Sequence, residues 1–113
     1  MLEMRGEEAK IQVQIVKALR AKGYVPVHIP NEQAHGNAVA TGQLITMGMI
    51  PGAPDLLVPL GRNRTIFMEV KAPKGRQSEN QKAFQTGWCE RYGYPYRIVR
   101  SAEEAIAFLE EFA

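Results

Sequence analysis

The sequence predicts an α/β domain in which helices flank a mixed central sheet. Helical spacing of apolar residues marks both ends of the chain, two strand-like runs joined by a short polar turn occupy its middle, and a helix separates these runs from a last strand. The predicted element order is α-β-(α)-β-β-α-β-α. With 113 residues the chain can bury one core but not two, so residues 1–113 are expected to form a single domain.

Four segments are predicted helices because apolar residues recur three or four positions apart. They cover about residues 7–22, 37–47, 78–92 and 101–112. Two of them begin with the serine and glutamine or glutamate spacing that is typical of a capping box, Ser78 with Gln81 and Ser101 with Glu104. In the third helix, Phe84, Trp88 and Tyr92 share one face and are expected to point into the core.

Four segments are predicted strands because they are short, apolar and bounded by glycine, proline or asparagine. They cover residues 24–29, 55–60, 65–71 and 96–99. Pro26 lacks a backbone donor, so the first strand is expected at an edge of the sheet or with an irregular start. The second and third strands are expected to form a hairpin through the turn at residues 61–64.

Two carboxylates and one lysine lie on the strands of this hairpin. Pro54-Asp55 opens the first strand, and Glu69-Val70-Lys71 closes the second. Side chains alternate along a strand, so Glu69 and Lys71 are expected on one face and Val70 on the other. A hard divalent cation takes oxygen ligands and would fit between two neighbouring carboxylates, while a lysine can orient or activate a water. The set predicts metal-assisted hydrolysis of a phosphodiester.

Each of these residues also has a simpler interpretation. Asp55 is a common turn or cap residue, although the apolar run that follows it indicates a buried position, where an unpaired carboxylate is costly. Glu69 lies in an apolar strand, where glutamate is disfavoured unless it is paired or metal-bound, and a buried salt bridge to Lys71 is the alternative. Because both carboxylates oppose a lowered pKa at Lys71, water positioning and charge stabilisation are favoured over a general-base role.

The pattern resembles the PD-(D/E)xK nuclease superfamily, and nearly the whole chain resembles its VRR-Nuc branch. The matching strings are Gly52-Ala53-Pro54-Asp55-Leu56-Leu57, Glu69-Val70-Lys71-Ala72-Pro73 and Ser78-x-x-Gln81. The resemblance implies a restriction-endonuclease-like αβββαβ core. It also implies a metal site formed by Glu8, Asp55, Glu69 and the backbone carbonyl of Val70, and catalytic roles for Asp55, Glu69, Lys71 and Gln81.

The assignment of the first-helix ligand is open by one position. Glu8-Ala9-Lys10-Ile11-Gln12 matches the family pattern of glutamate, two residues, a hydrophobic residue and glutamine, but Glu7 is adjacent. Acidic residues in a first helical turn also interact favourably with the helix dipole without any metal. Gln12 lies one turn further along and could reach the same cleft. The capping box accounts for Gln81 independently of catalysis.

Basic residues flank the predicted site, and Lys74, Arg76 and Lys82 are expected to contact phosphates. Asn31 follows Ile29-Pro30 in a way that resembles phage members of the family and is a further expected DNA contact, with an Asx turn as the alternative. Arg62 and Arg64 are interpreted as solvated turn residues. The net charge of +2 permits nucleic-acid binding without arguing for it.

Several other classes of protein are disfavoured by composition. The single cysteine, Cys89, excludes an internal disulfide and a cysteine-based zinc site, and it is expected to be buried. His28 and His35 lack the spacing of a zinc pair on one helix. The N-terminal residues lack the apolar stretch of a signal peptide, and no apolar run approaches a membrane span, so a soluble, intracellular protein is expected. The resemblance to phage members of the family implies a bacterial or phage origin.

The expected function is therefore a structure-specific DNA endonuclease that depends on Mg²⁺ or Mn²⁺. By analogy with similar small family members, branched DNA such as a Holliday junction is the expected substrate and a homodimer the expected assembly. Two alternatives are open, an inactive nuclease-fold module that only binds branched nucleic acid and a sequence-specific restriction-type nuclease. The short chain leaves little room for the base-reading segment that the latter requires.

Overall fold

The computed structural model describes residues 6–30 and 38–113, and it confirms the predicted order of elements. The helices are α1 (Gly6–Ala21), α2 (Ala38–Thr46), α3 (Glu79–Phe84) and α4 (Ala102–Glu110), with a π-helical segment, Gln85–Glu90, continuing α3. The strands are β1 (Val27–His28), β2 (Leu56–Gly61), β3 (Arg64–Val70) and β4 (Tyr96–Val99). No helix in the described ranges is both long and apolar enough to cross a bilayer.

The four strands form one mixed sheet in the order β1-β2-β3-β4. The first three run antiparallel and β4 runs parallel to β3, as the hairpin followed by a helix and a strand predicts. The hairpin closes through Arg62 and Asn63, whose φ angles of 55° and 60° are those of a type I′ turn. Its register pairs Leu56 with Met68 and therefore brings the residue before Leu56 opposite Glu69.

The two faces of β3 carry different chemistry because its side chains alternate. Ile66, Met68 and Val70 join the larger core, which packs beneath α1 and α4. Phe67 points the other way and packs with Phe84, Cys89 and half-buried Trp88 beneath α3 and the π-helical segment. Glu69 continues the face of Phe67, so the predicted separation of Glu69 from Val70 is confirmed. Cys89 is buried as expected, and burial raises the pKa of its thiol to about 11.

One predicted core residue is wrong. Tyr92 is 56% exposed, although it lies at helical spacing from Phe84 and Trp88. The reason is the π-helical segment: its i→i+5 bonding adds a residue to the turn and rotates the following positions away from the sheet. Spacing over an assumed uniform α-helix therefore fails beyond Gln85.

The first strand is shorter than predicted, with only Val27 and His28 in the ladder. Its expected edge position is confirmed, because it pairs with β2 alone. The capping box of α3 is also confirmed, whereas that of α4 differs. Ser101 accepts a hydrogen bond from the Glu104 N–H, but the Glu104 carboxylate bonds the N–H of Arg100 instead of that of Ser101.

Gly52 is required where the loop before β2 meets the start of α3. Its φ is +87°, and a Cβ there would lie 2.2 Å from the Asn80 carbonyl oxygen. We expect Gly52→Ala to lower the free energy of unfolding by about 2–5 kcal/mol, through steric clash and backbone strain. Gly42→Ala is the control, because a Cβ at Gly42 meets nothing within 4 Å. Denaturant titration measures both, and equal midpoints for Gly52→Ala and wild type would contradict the expectation.

Candidate active site

Asp55 is held by both its backbone and its side chain at the start of β2. Its carbonyl accepts a hydrogen bond from Ile29 N–H at 2.8 Å, which extends the pairing with β1. Its carboxylate Oδ2 accepts one from Val70 N–H at 2.7 Å. The hairpin register already places Asp55 opposite Glu69, so this bond aligns the carboxylate with the end of β3. The interpretation of Asp55 as an ordinary turn residue does not explain this partly buried contact with the end of β3.

Glu69 is a carboxylate buried within the domain, with 2% of its surface exposed. One oxygen, Oε2, accepts a hydrogen bond from Gln81 Nε2 at 3.1 Å, whereas Oε1 is fully buried and has no hydrogen-bond partner in the described part of the chain. Burial, which contributes most, and the neighbouring Asp55 carboxyl group together raise the pKa of Glu69 from its usual 4.5 to about 9. A carboxylate in this state needs either a proton or a cation.

The residues present fit a divalent metal ion at this position. Two carboxyl groups face each other across the hairpin, and one of them carries an orphaned buried oxygen, the donor type that Mg²⁺ and Mn²⁺ prefer. Among the described residues, no three His, Cys, Asp or Glu side chains converge closely enough to hold an ion alone. The Val70 carbonyl, waters or substrate oxygens would therefore complete the coordination, as is usual for Mg²⁺.

The structure distinguishes between the two glutamates at the start of α1. Glu8 lines the same cleft as Asp55, and its charge raises the pKa of Glu69. One Glu8 carboxylate oxygen lies 3.5 Å from the point where a Cβ on Gly75 would be, which is ordinary van der Waals distance and places Glu8 next to the turn that follows Lys71. Both glutamates are exposed, but Glu7 lies outside the cleft lining. Of the two, Glu8 is therefore the one that lies in the cleft with Asp55.

Lys71 lies on the face of Glu69 and is 8% exposed. The alternative of a buried salt bridge to Glu69 is not formed, since within the described residues no ion pair joins the two side chains. The ammonium charge nevertheless lowers the pKa of Glu69, against the larger effects of burial and Asp55. Lys71 is therefore near the carboxylates without neutralising them directly.

Gln81 closes the capping box of α3 and also contacts Glu69. Its Oε1 accepts from Ser78 N–H at 2.8 Å, which completes the capping box, and its Nε2 donates to Glu69. The start of α3 is thereby tied to the end of β3. The capping geometry holds the Gln81 amide in the orientation that Glu69 needs.

His28 is a site residue that sequence reasoning missed. Its Nδ1 lies 3.1 Å from the Asp55 carbonyl oxygen and 3.0 Å from Gln12 Nε2, so the imidazole joins α1, β1 and β2. Nδ1 cannot donate to the carbonyl and accept from the amide in one tautomer, so the tautomer decides which bond forms. No local signal marks His28, because its partners are 16 and 27 residues away.

Arg100 is a second missed residue, at the end of β4. Its Nη1 donates to the carbonyl oxygens of Ala72 at 2.6 Å, Gly75 at 2.8 Å and Pro73 at 3.3 Å. A single guanidinium thus holds the turn that follows Lys71, and this turn contains Gly75, which lies next to Glu8. Arg100 is a positioning residue for this side of the site.

These residues border a cleft of about 590 Å³. The cleft is lined by Glu8, Ala9, Gln12, Val13, Val16, Lys17, Arg20, His28, Ile29, Ala53, Asp55, Val70 and Gln81. Glu69 and Lys71 are buried and do not line the cleft, whereas Asp55 does. Of the two carboxyl groups, Asp55 is therefore the one that faces solvent.

The predicted phosphate contacts lie outside this cleft. Lys74, Arg76 and Lys82 are exposed and do not line it. Lys82 Nζ is also 3.6 Å from Glu79 Oε1, an exposed pair that competes weakly with any phosphate. Asn31 and His35 lie outside the described residues.

Comparison with known proteins agrees with this architecture. The family model of the VRR-NUC domain matches residues 6–103. A solved structure described as "VRR_NUC domain" superposes with a TM-score of 0.65 at 22% sequence identity, over 94% of this chain and 97% of the other. At that identity the likeness concerns the fold alone. No curated protein matches the sequence.

Proposed function

Because the chain belongs to the VRR-NUC domain family, whose fold is that of PD-(D/E)xK-like nucleases, we propose that it is a divalent-metal-dependent DNA endonuclease. The observation that carries the proposal is the buried Glu69 carboxylate, which faces Asp55 with one oxygen unsatisfied. Two acidic groups held together against their mutual repulsion have little purpose in a protein that binds a polyanion, unless a cation lies between them.

The side chains divide the work of phosphodiester hydrolysis. Asp55, Glu69 and Glu8 would hold Mg²⁺ or Mn²⁺ together with the Val70 carbonyl. The ion would lower the pKa of a bound water and polarise the phosphate. Lys71 would position the attacking water and stabilise charge on the phosphate. Gln81 keeps Glu69 in place from α3.

The preferred substrate is proposed to be branched DNA, with four-way junctions included. A chain of this size with a short sheet offers little base-reading surface, so recognition rests on DNA shape and backbone. Lys74, Arg76 and Lys82, which lie outside the cleft, are proposed backbone contacts, and Asn31 is proposed as a further one. A junction carries two scissile strands, and a symmetric homodimer would present two sites to them.

A binding-only module is the second candidate. A protein that only binds DNA has no use for two neighbouring carboxyl groups, and these acidic groups would weaken its contact with DNA. The restriction-type candidate requires discrimination between sequences of the same shape. Cleavage that is uniform across such sequences would remove it.

The test is cleavage of end-labelled four-way junction, flap and linear duplex in Mg²⁺, Mn²⁺, Ca²⁺ or EDTA. We expect cutting in Mg²⁺ and Mn²⁺, none in EDTA, and binding with at least about 100-fold slower cutting in Ca²⁺, whose loose coordination rarely fixes an in-line geometry. Paired symmetric nicks in the junction indicate a dimeric resolvase. Tight junction binding without cutting in any metal would favour the binding-only module, and efficient cutting in Ca²⁺ would contradict the proposed chemistry.

A further inference from the structure

The cleft continues well past the carboxylates, along the full length of α1. Its α1 side begins at Glu8 and ends at Arg20, and the lining side chains follow each other at three- or four-residue spacing on one face. A helix rises 1.5 Å per residue, so Arg20 lies about 12 Å along the axis from Gln12. A DNA strand advances about 3.4 Å per nucleotide, so the stretch of about 12 Å between Gln12 and Arg20 corresponds to three or four nucleotides.

The charge on this face changes sign along the cleft. Glu8 lies at the end with the proposed metal site, and Lys17 and Arg20 lie at the opposite end. Half-buried Val13 and Val16 line the stretch between them. A nucleic-acid strand is complementary to these features, because its phosphates pair with cations and its sugars tolerate apolar contact.

Lys17 and Arg20 are both available to such a strand. Both side chains are exposed, and within the described residues neither forms an ion pair, in contrast to Lys22, which lies 3.9 Å from Glu110. A basic residue in the last turn of a helix interacts favourably with the dipole, which explains Arg20 by itself. That effect does not explain why Lys17, nearly a turn earlier, faces the same cleft.

We propose that Lys17 and Arg20 form a phosphate-binding subsite for the nucleotides adjoining the scissile phosphate. The subsite rests on the proposed nuclease function, since it assigns the strand that passes Asp55 to the cleft along α1. It differs from the exposed cations Lys74, Arg76 and Lys82, which lie outside this cleft. Such a subsite anchors the strand and carries no sequence information.

The test is DNA binding by the double variant Lys17→Gln/Arg20→Gln in EDTA, where no cleavage interferes. We measure the dissociation constant for a four-way junction and a duplex between about 50 and 200 mM salt. Each lost phosphate contact reduces the slope of log K against log salt by about 0.9, so a drop of about 1.8 and a loss of about tenfold or more in affinity are expected.

The matched control is Lys10→Gln/Lys22→Gln, which removes the same charge from exposed positions of α1 and the turn after it, outside the cleft lining. We expect its slope to change by less than about 0.5. A second variant, Lys17→Arg/Arg20→Lys, keeps both charges and should retain the wild-type slope. In Mg²⁺, the half-saturating DNA concentration for single-turnover cleavage should rise above that of wild type for Lys17→Gln/Arg20→Gln.

The subsite is overturned if Lys17→Gln/Arg20→Gln keeps the wild-type slope and affinity. It is also overturned if both double glutamine variants lose affinity equally, because that result indicates an effect of net charge alone. Because the binding measurement needs no cleavage, the two proposals fail separately. A wild-type protein that never cuts DNA but shows the expected slopes would remove the nuclease and keep the subsite. One that cuts DNA with unchanged slopes would do the reverse.

Discussion

Replacing either carboxylate with its amide, in Asp55→Asn or Glu69→Gln, is expected to slow DNA cleavage by about 10³-fold or more. The loss corresponds to about 4 kcal/mol of transition-state stabilisation, the scale of losing a metal ion that activates water and polarises phosphate. Single-turnover cleavage of a labelled junction in Mg²⁺ measures it. Affinity for DNA, measured in EDTA, should stay the same for Glu69→Gln, because the raised pKa keeps Glu69 protonated in the metal-free protein. It should stay the same or increase for Asp55→Asn, because a negative charge next to the phosphates is lost.

The amides are better probes than alanine because of the hydrogen bonds at the site. Asp55 accepts from the Val70 N–H, and an asparagine oxygen can still do so, whereas alanine leaves a buried donor unpaired at a cost of about 1–3 kcal/mol. Glu7→Gln removes a charge next to Glu8 and should cut at the wild-type rate. If Asp55→Asn or Glu69→Gln also cuts at that rate, the assignment of the site is wrong.

Glu69→Gln is also expected to stabilise the metal-free protein, by an amount that grows with pH. The folded-state pKa of Glu69 is raised from 4.5 to about 9, so between these values the unfolded chain ionises while the folded chain keeps its proton. The contribution of protonated Glu69 to the free energy of unfolding is fully present below its unfolded-state pKa. It is lost as pH rises toward its folded-state pKa, at up to about 1.4 kcal/mol per pH unit. The variant avoids this loss, and thermal unfolding in EDTA at pH 5, 6.5 and 8 measures the difference.

We expect the free energy of unfolding of Glu69→Gln to exceed that of wild type by about 2–4 kcal/mol at pH 8 and by little at pH 5. Mg²⁺ or Mn²⁺ should reduce this difference, because a ligand that binds only folded wild type stabilises only wild type. Glu103→Gln, at an exposed position of α4, is the control and should show no such trend. A difference in free energy of unfolding that is constant across the three pH values would mean that folding does not raise the pKa of Glu69.

Local patterns in the sequence predict the parts of the site that depend on single elements. Alternation along β3 separates Glu69 from Val70, and the capping pair of Ser78 and Gln81 sets where α3 begins and so where the Gln81 amide points. These features depend on residues two or three positions apart, whose geometry the backbone alone determines. The hairpin follows from the same short-range rules, but its register does not, because a shift in the pairing between Pro59 and Gly61 places Asp55 opposite Glu69.

The remaining parts depend on contacts between distant segments. His28 meets the Asp55 carbonyl across 27 residues, and Arg100 meets Ala72 across 28, so neither leaves a local signal. The choice between Glu7 and Glu8 depends on how α1 is rotated against the sheet, which periodicity determines only to within a residue. Tyr92 was misplaced because a π-helical segment changes the helical period in a way that composition does not reveal.

The most direct test of the account is a Mn²⁺ titration in which bound metal and single-turnover junction cleavage are measured on the same samples, for wild type and Glu69→Gln. We expect wild-type cleavage to rise with Mn²⁺ bound at Asp55 and Glu69, with one shared midpoint, and we expect the variant to lose both together. Cleavage by wild type in EDTA, or a wild-type rate in Glu69→Gln without this bound Mn²⁺, would contradict it.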